Sequence, residues 1–159
     1  MPHGDLVLLG RIAVGFALGY VIGFERGLRG SPAGDRTFAL IGASATAVTA
    51  VAGHSSPQTV AGVITGIGFI GAGVVFQASG GLVRGLTSAA MIFSAAALGV
   101  VVGYGHLALG AIFAAGILFT LELRFIPGLK LLDSTQHTDR FAQDHSLDPQ
   151  RPTDEVPSG

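Results

Sequence analysis

Apolar residues run through this chain in five long blocks, and polar residues are confined to the gaps between them. The blocks cover residues 6–24, 37–53, 59–76, 86–103 and 107–123. Each is close to the ~20 residues an α-helix needs to cross a bilayer. A soluble helical protein would need amphipathic helices with a water-facing stripe, and none occurs before residue 130. Gly, Pro and Ser punctuate the gaps. ERGLRGSPAGDR joins the first two blocks, HSSPQ the next, QASGGLVR the third and fourth, and YGH the last pair. Links this short make neighbouring helices antiparallel hairpins. The pattern predicts an all-α, polytopic transmembrane helical bundle of about five spans.

Composition sharpens that picture. Only 12% of the residues are charged, and residues 37–83 hold no Asp, Glu, Lys or Arg. A stretch of that length without charge makes no water-facing surface, so its solvent is expected to be lipid. From Asp133 onward the chain turns polar, with three prolines and no apolar period. Such a segment buries too little to offset its ordering entropy. The expected division is a transmembrane domain over 1–132 and a disordered polar cytoplasmic tail over 133–159. His137 and His145 fall in that tail and are read as solvated. The N-terminus has no basic leader before its apolar run, so the first block is read as a retained span.

Basic residues set the orientation. Arg26, Arg29, Arg36, Arg84, Arg124, Lys130, Arg140 and Arg151 all fall on one side of a five-span arrangement, and only Arg11 breaks the rule. The positive-inside rule then places the N-terminus outside and the C-terminus in the cytoplasm. Arg11 lies about a turn and a half into the first helix, where it is expected to snorkel to the outer surface.

Glycine spacing indicates how the helices meet. Gly15, Gly19, Gly23 and Gly27 recur every four residues along one face of the first helix. The third block holds Gly62, Gly66, Gly68, Gly71 and Gly73, and the fourth holds Gly99 and Gly103. Small-xxx-small spacing lets two backbones approach closely in lipid. Gly15, Gly19, Gly23, Gly66, Gly68, Gly71 and Gly73 are the expected packing glycines. For the third helix a hinge, or backbone exposed at a site, is the alternative.

The candidate chemistry gathers at the cytoplasmic rim. Glu25, Asp35 and Glu122 stand beside Arg26, Arg36 and Arg124, and Thr37, Thr87 and Ser88 share their level. Two readings stay open: an ion-pair belt that fixes depth, or a small polar site. In the second, Arg36 and Arg84 would serve an anionic group, while Glu25 and Asp35 would serve a cation. Mg²⁺ takes one or two carboxylates and keeps its waters, so a metal role is left undecided. No span carries a carboxylate near its midplane, where cation pumps and proton relays usually place one. The run of residues 66–71 spells G-x-G-x-x-G, but no strand precedes it, and a dinucleotide site is rejected. No catalytic constellation, cofactor motif or nucleic-acid signature occurs, and there is no cysteine. An enzyme is not expected.

Three motifs, in order and at matching spacing, resemble the MgtC/SapB family. They are Gly23-Phe24-Glu25-Arg26 with Ala33-Gly34-Asp35-Arg36-Thr37; Gly66-Ile67-Gly68-Phe69-Ile70-Gly71-Ala72-Gly73; and Val83-Arg84-Gly85-Leu86-Thr87-Ser88-Ala89-Ala90. The resemblance covers roughly residues 8 to 125. It implies a multi-pass protein of the bacterial inner membrane, associated with growth under magnesium limitation and with survival of pathogens in macrophages. It also implies a regulatory or adaptive role through membrane-protein partners, the ATP synthase among them. A small divalent-cation transporter acting as a homo-oligomer is the alternative. The sequence departs from the family at Phe93, where many members have Trp, and at Ser55–Gly62, where many have acidic, Arg and Gln residues. Virulence-type members carry a folded C-terminal domain where this chain has the polar tail.

Overall fold

A computed structural model of the chain describes residues 3–31, 33–76 and 85–122. Five helices follow one another: α1 His3–Leu28, α2 Asp35–Ala52, α3 Pro57–Phe76, α4 Leu86–Gly103 and α5 Leu107–Glu122. No strand occurs among the described residues. The chain divides into two compact units, residues 1–120 and residues 121–159, and the helical bundle is the first. Residues 123–159, and with them the expected tail, lie outside the described residues.

The helices outrun the apolar blocks where backbone chemistry allows. α1 continues past Phe24 to Leu28, so Glu25 and Arg26 are helical residues and not loop residues. Hydropathy marks the end of the apolar run; the helix itself ends at Gly30, in the left-handed region with φ 70°. There the Ser31 N–H donates to the Arg26 carbonyl and the Gly30 N–H to that of Gly27. This paired closure satisfies carbonyls that would otherwise be orphaned. The end of α4 repeats it, with Gly105 at φ 93°, His106 N–H donating to Val101 and Gly105 N–H to Val102. α3 opens on Pro57, whose missing N–H costs nothing at a first helical position.

α2 is the centre of the bundle. α1 packs on it antiparallel and α4 packs on it parallel, and these are its two largest interfaces. Phe38, Ala39, Ala45, Thr46 and Thr49 of α2 are buried, as are Ile22 of α1 and Ile92, Leu98 and Val102 of α4. Large apolar side chains point outward instead: Phe24, Phe69 and Ile112 are 51%, 77% and 69% exposed. Lipid tolerates large apolar residues on the outer surface, because its tails solvate Leu and Phe, while small residues at the helix contacts let close backbones gain dispersion contact. Three helices are long and apolar enough to cross a membrane, over 4–28, 57–75 and 86–103. The molecule is a helical membrane bundle.

The glycines of α1 divide by what they touch. A Cβ on Gly15 would strike Thr46, one on Gly19 would strike the Phe38 carbonyl, and one on Gly23 would lie 2.7 Å from the Asp35 Cα. Gly27 has open space around it. Gly42 of α2 answers Gly15, and its carbonyl would lie 2.7 Å from a Cβ on Gly99 of α4. Gly103 meets Thr49 in the same way at 2.6 Å. The glycines of α3 behave differently. Cβ atoms on Gly62, Gly66, Gly68 and Gly73 would meet nothing within 4 Å, and one on Gly71 would make only ordinary contact with Ala89 at 3.6 Å. Among the described residues, therefore, Gly66, Gly68 and Gly73 pack against no other backbone. α3 buries only Gly71 among its described residues. It leans on α4 and leaves a groove of about 450 Å³ toward α2, between Ser44, Ala45 and Val48 on one wall and Gly62, Gly66 and Ile70 on the other.

Candidate functional site

The start of α2 and the start of α4 meet the end of α1 at one rim of the bundle, and most of the candidate residues that fall among the described ones gather there. Arg26 reaches across from α1. Its Nη2 donates to Ser31 Oγ at 3.1 Å and to Ser88 Oγ at 3.1 Å, and the two hydroxyls lie 3.3 Å apart. Ser88 is 4% exposed. One guanidinium thus ties the α1–α2 loop to the first turn of α4. The closure at Gly30 turns Ser31 back toward its own helix, which puts its hydroxyl within reach.

Glu25 and Asp35 each take a partner close by in the sequence. Glu25 makes its ion pair with Arg29, one helical turn along α1, as the 3.6-residue period favours. Apart from that pair, both Glu25 carboxylate oxygens are buried without a hydrogen-bond partner. Asp35 Oδ1 accepts the backbone N–H of Arg36 at 2.9 Å. Its carboxylate therefore serves the first turn of α2, where exposed N–H groups and the helix dipole favour negative charge. The Arg36, Thr37 and Thr87 residues are exposed at the same rim. Arg84 lies outside the described residues, and so does Arg124, the expected neighbour of Glu122.

Neither α2 nor α4 has a side-chain cap. Their N-cap residues are Gly34 and Gly85, and neither helix start receives a side-chain hydrogen bond from its cap. Gly85 is left-handed with φ 85°, and a Cβ there would lie 3.0 Å from the Val74 carbonyl. Two helix N-termini, with their partial positive charge, therefore flank the Arg26 cluster. Among the described residues no group of three or more His, Asp or Glu side chains could hold a metal ion.

Several polar contacts were not legible beforehand. Arg11 Nη1 donates to the Gly103 carbonyl at 3.0 Å. Arg11 thus reaches the last turn of α4, at the rim opposite the Arg26 cluster. Beside it, Tyr104 Oη donates to the Gly53 carbonyl at 3.3 Å, and the His54 ring stands edge-on to Tyr104 with centroids 5.1 Å apart. Thr46 Oγ1 donates to the Gly99 carbonyl at 3.0 Å in the fully buried core, while Thr49 Oγ1 is buried without a partner. The signal for Thr46 and Thr49 was present: small polar residues in an apolar helix, on the face that carries Gly42.

The chain is similar in sequence to known proteins. A family model for the MgtC family matches residues 12–126. Protein MgtC of Brucella abortus is 41% identical over 114 residues, covering 67% of this chain and 48% of the relative. Protein SrpB of Synechococcus elongatus is 39% identical over 140 residues, covering 76% of this chain and 75% of the relative. A protein of Escherichia coli named "Putative magnesium transporter YhiD" is 34% identical over 144 residues, covering 82% and 64%. The chain spans about half the length of the Brucella relatives it matches. No solved structure matches it. The match over residues 12–126 takes in all three motifs and nearly the whole helical bundle, and the chain belongs to the MgtC family.

Proposed function

We propose that the chain is a five-span protein of the bacterial inner membrane, with its N-terminus outside and the Arg26 rim facing the cytoplasm. Its role is regulatory or adaptive, connected with magnesium limitation or membrane energetics, and exerted through contacts with other membrane proteins. One observation carries this reading. Polar groups collect at the rims, whereas the interior shared by α1, α2 and α4 is closed by glycine contacts and, among the described residues, holds below those rims only Thr46 and Thr49 as buried polar residues. A dication stripped of water needs oxygen ligands along its path, and two threonines in a close-packed interior offer too few. A rim surface can instead engage a partner. Crosslinked co-purification from the native membrane tests this. The reading expects a membrane-protein partner whose recovery falls when Arg36 is replaced by Ala; unchanged recovery contradicts it.

The second reading is a small magnesium transporter acting as an oligomer. It is favoured by the name carried by YhiD and by the open faces of α3, which would line a path only between protomers.

A further inference from the structure

The hydrogen-bond inventory of the Arg26 cluster does not balance. Arginine offers five N–H donors and no acceptor, and each serine offers one O–H. The two Nη2 hydrogens go to Ser31 and Ser88, and one serine hydrogen is taken up between the two hydroxyls. The hydrogen of the other serine is left over. The Arg26 Nε–H is buried and has no acceptor. A buried donor without a partner is costly, and native structures rarely leave one. The nearby carboxylates do not reach this donor: Glu25 forms its ion pair with Arg29 and its two buried oxygens accept no hydrogen bond, from Arg26 or elsewhere among the described residues, while Asp35 accepts from the backbone of Arg36. The cluster of Arg26, Ser31 and Ser88 therefore carries a positive charge, donors left over after its serine hydroxyls have accepted, and no anionic group of its own. The two glycine-capped helix starts beside it add backbone N–H groups of the same sign.

We infer that Arg26, Ser31 and Ser88 form a binding site for an oxyanion of the phosphate class, held by the guanidinium and the serine hydroxyls. Phosphate matches this donor set better than a halide, because its several oxygens can accept from the guanidinium and a hydroxyl at once. Either a phospholipid headgroup or free phosphate presents that chemistry at a membrane surface. The inference rests on reading this rim as the functional end of the molecule. Its test measures binding alone, so it fails separately from any cellular role.

The experiment follows thermal unfolding of the purified chain in two arms. In detergent, inorganic phosphate is titrated against chloride at constant ionic strength. In bilayers, phosphatidylcholine is compared with phosphatidylcholine doped with phosphatidylglycerol. Ser88→Ala and Arg26→Gln are run alongside. A saturable rise in Tm with phosphate, weakened about tenfold or more in affinity by Ser88→Ala, identifies free phosphate. A rise only with phosphatidylglycerol, lost in the same variant, identifies a headgroup. No saturable rise in either arm overturns the site. So does an equal rise in the wild type and in both variants. Arg26→Gln also changes charge, and Ser88→Ala keeps the test open if Arg26→Gln does not fold.

Discussion

Arg11 donates a 3.0 Å hydrogen bond from its guanidinium to the backbone carbonyl of Gly103, binding the start of α1 to the last turn of α4. The other end of the same helix pair is joined by Arg26 and Ser88. Arg11 and Arg26 stand as far apart along α1 as Ser88 and Gly103 stand along α4, so the two contacts share one antiparallel register. Between them the α1–α2–α4 interior is closed by glycine. Two arginines thus fasten α1 to α4 at opposite rims, one by an orphan carbonyl and one by a hydroxyl.

Arg11→Ala is expected to destabilise the bundle. The lost contact is a charged hydrogen bond at a helix C-terminus, worth about 1.5–3 kcal/mol, reduced by partial exposure to roughly 1–2 kcal/mol. Arg11→Lys should recover part of it, since an ammonium still suits the helix end. Reversible unfolding in detergent measures both. Equal stability of Arg11→Ala and wild type would show that the contact contributes nothing.

Glycine substitutions should separate packed helices from open ones. Gly19→Leu places a side chain into the Phe38 backbone and is expected to prevent α1 and α2 from docking. Ala17→Leu on the exposed face should be tolerated. Gly66→Leu should leave the monomer folded, because nothing lies within 4 Å of its Cβ position. Yields of monodisperse protein decide the matter. Loss of fold in Gly66→Leu alone would reverse the roles of α1 and α3.

The two core threonines should respond in opposite directions to Val, which preserves their shape. Thr46→Val gives up the bond to the Gly99 carbonyl, at about 0.6 kcal/mol for an average interhelical hydrogen bond in a membrane. Thr49→Val removes a buried hydroxyl that has no partner, and a gain of up to about 1 kcal/mol is expected. A marked loss of stability in Thr49→Val would reveal a bond made by that hydroxyl.

The orientation can be checked with single cysteines in this cysteine-free chain. A membrane-impermeant thiol reagent applied to intact cells should label a cysteine at Ser56 and spare one at Ser79. The reverse pattern inverts the topology.

How much of this was readable beforehand depends on the physics of each part. Existence and order of the five helices followed from apolar blocks of membrane length, because hydropathy is set by composition alone. The use of Gly15, Gly19 and Gly23 was visible as a four-residue spacing on one helix. The same spacing could not say that no described residue would come near Gly66 and Gly73, since that depends on where α3 lies relative to α2. The sequence put the rim residues close together but did not say which side chains would meet. Adjacent residues such as Glu25 and Arg26 project about 100° apart on a helix, so each found its partner elsewhere: Arg29 one turn on, and Ser88 far along the chain. Arg11 was treated as an exception to a charge rule, because its partner is a backbone carbonyl and carries no side-chain signature.

The central claim is that the protein acts through its rim and does not conduct magnesium. Uptake of Mg²⁺ into proteoliposomes loaded with a fluorescent indicator tests it most directly, with Glu25→Gln as the companion variant. The account predicts no saturable uptake above protein-free vesicles. Saturable uptake by the wild type that disappears in Glu25→Gln would contradict it and establish transport.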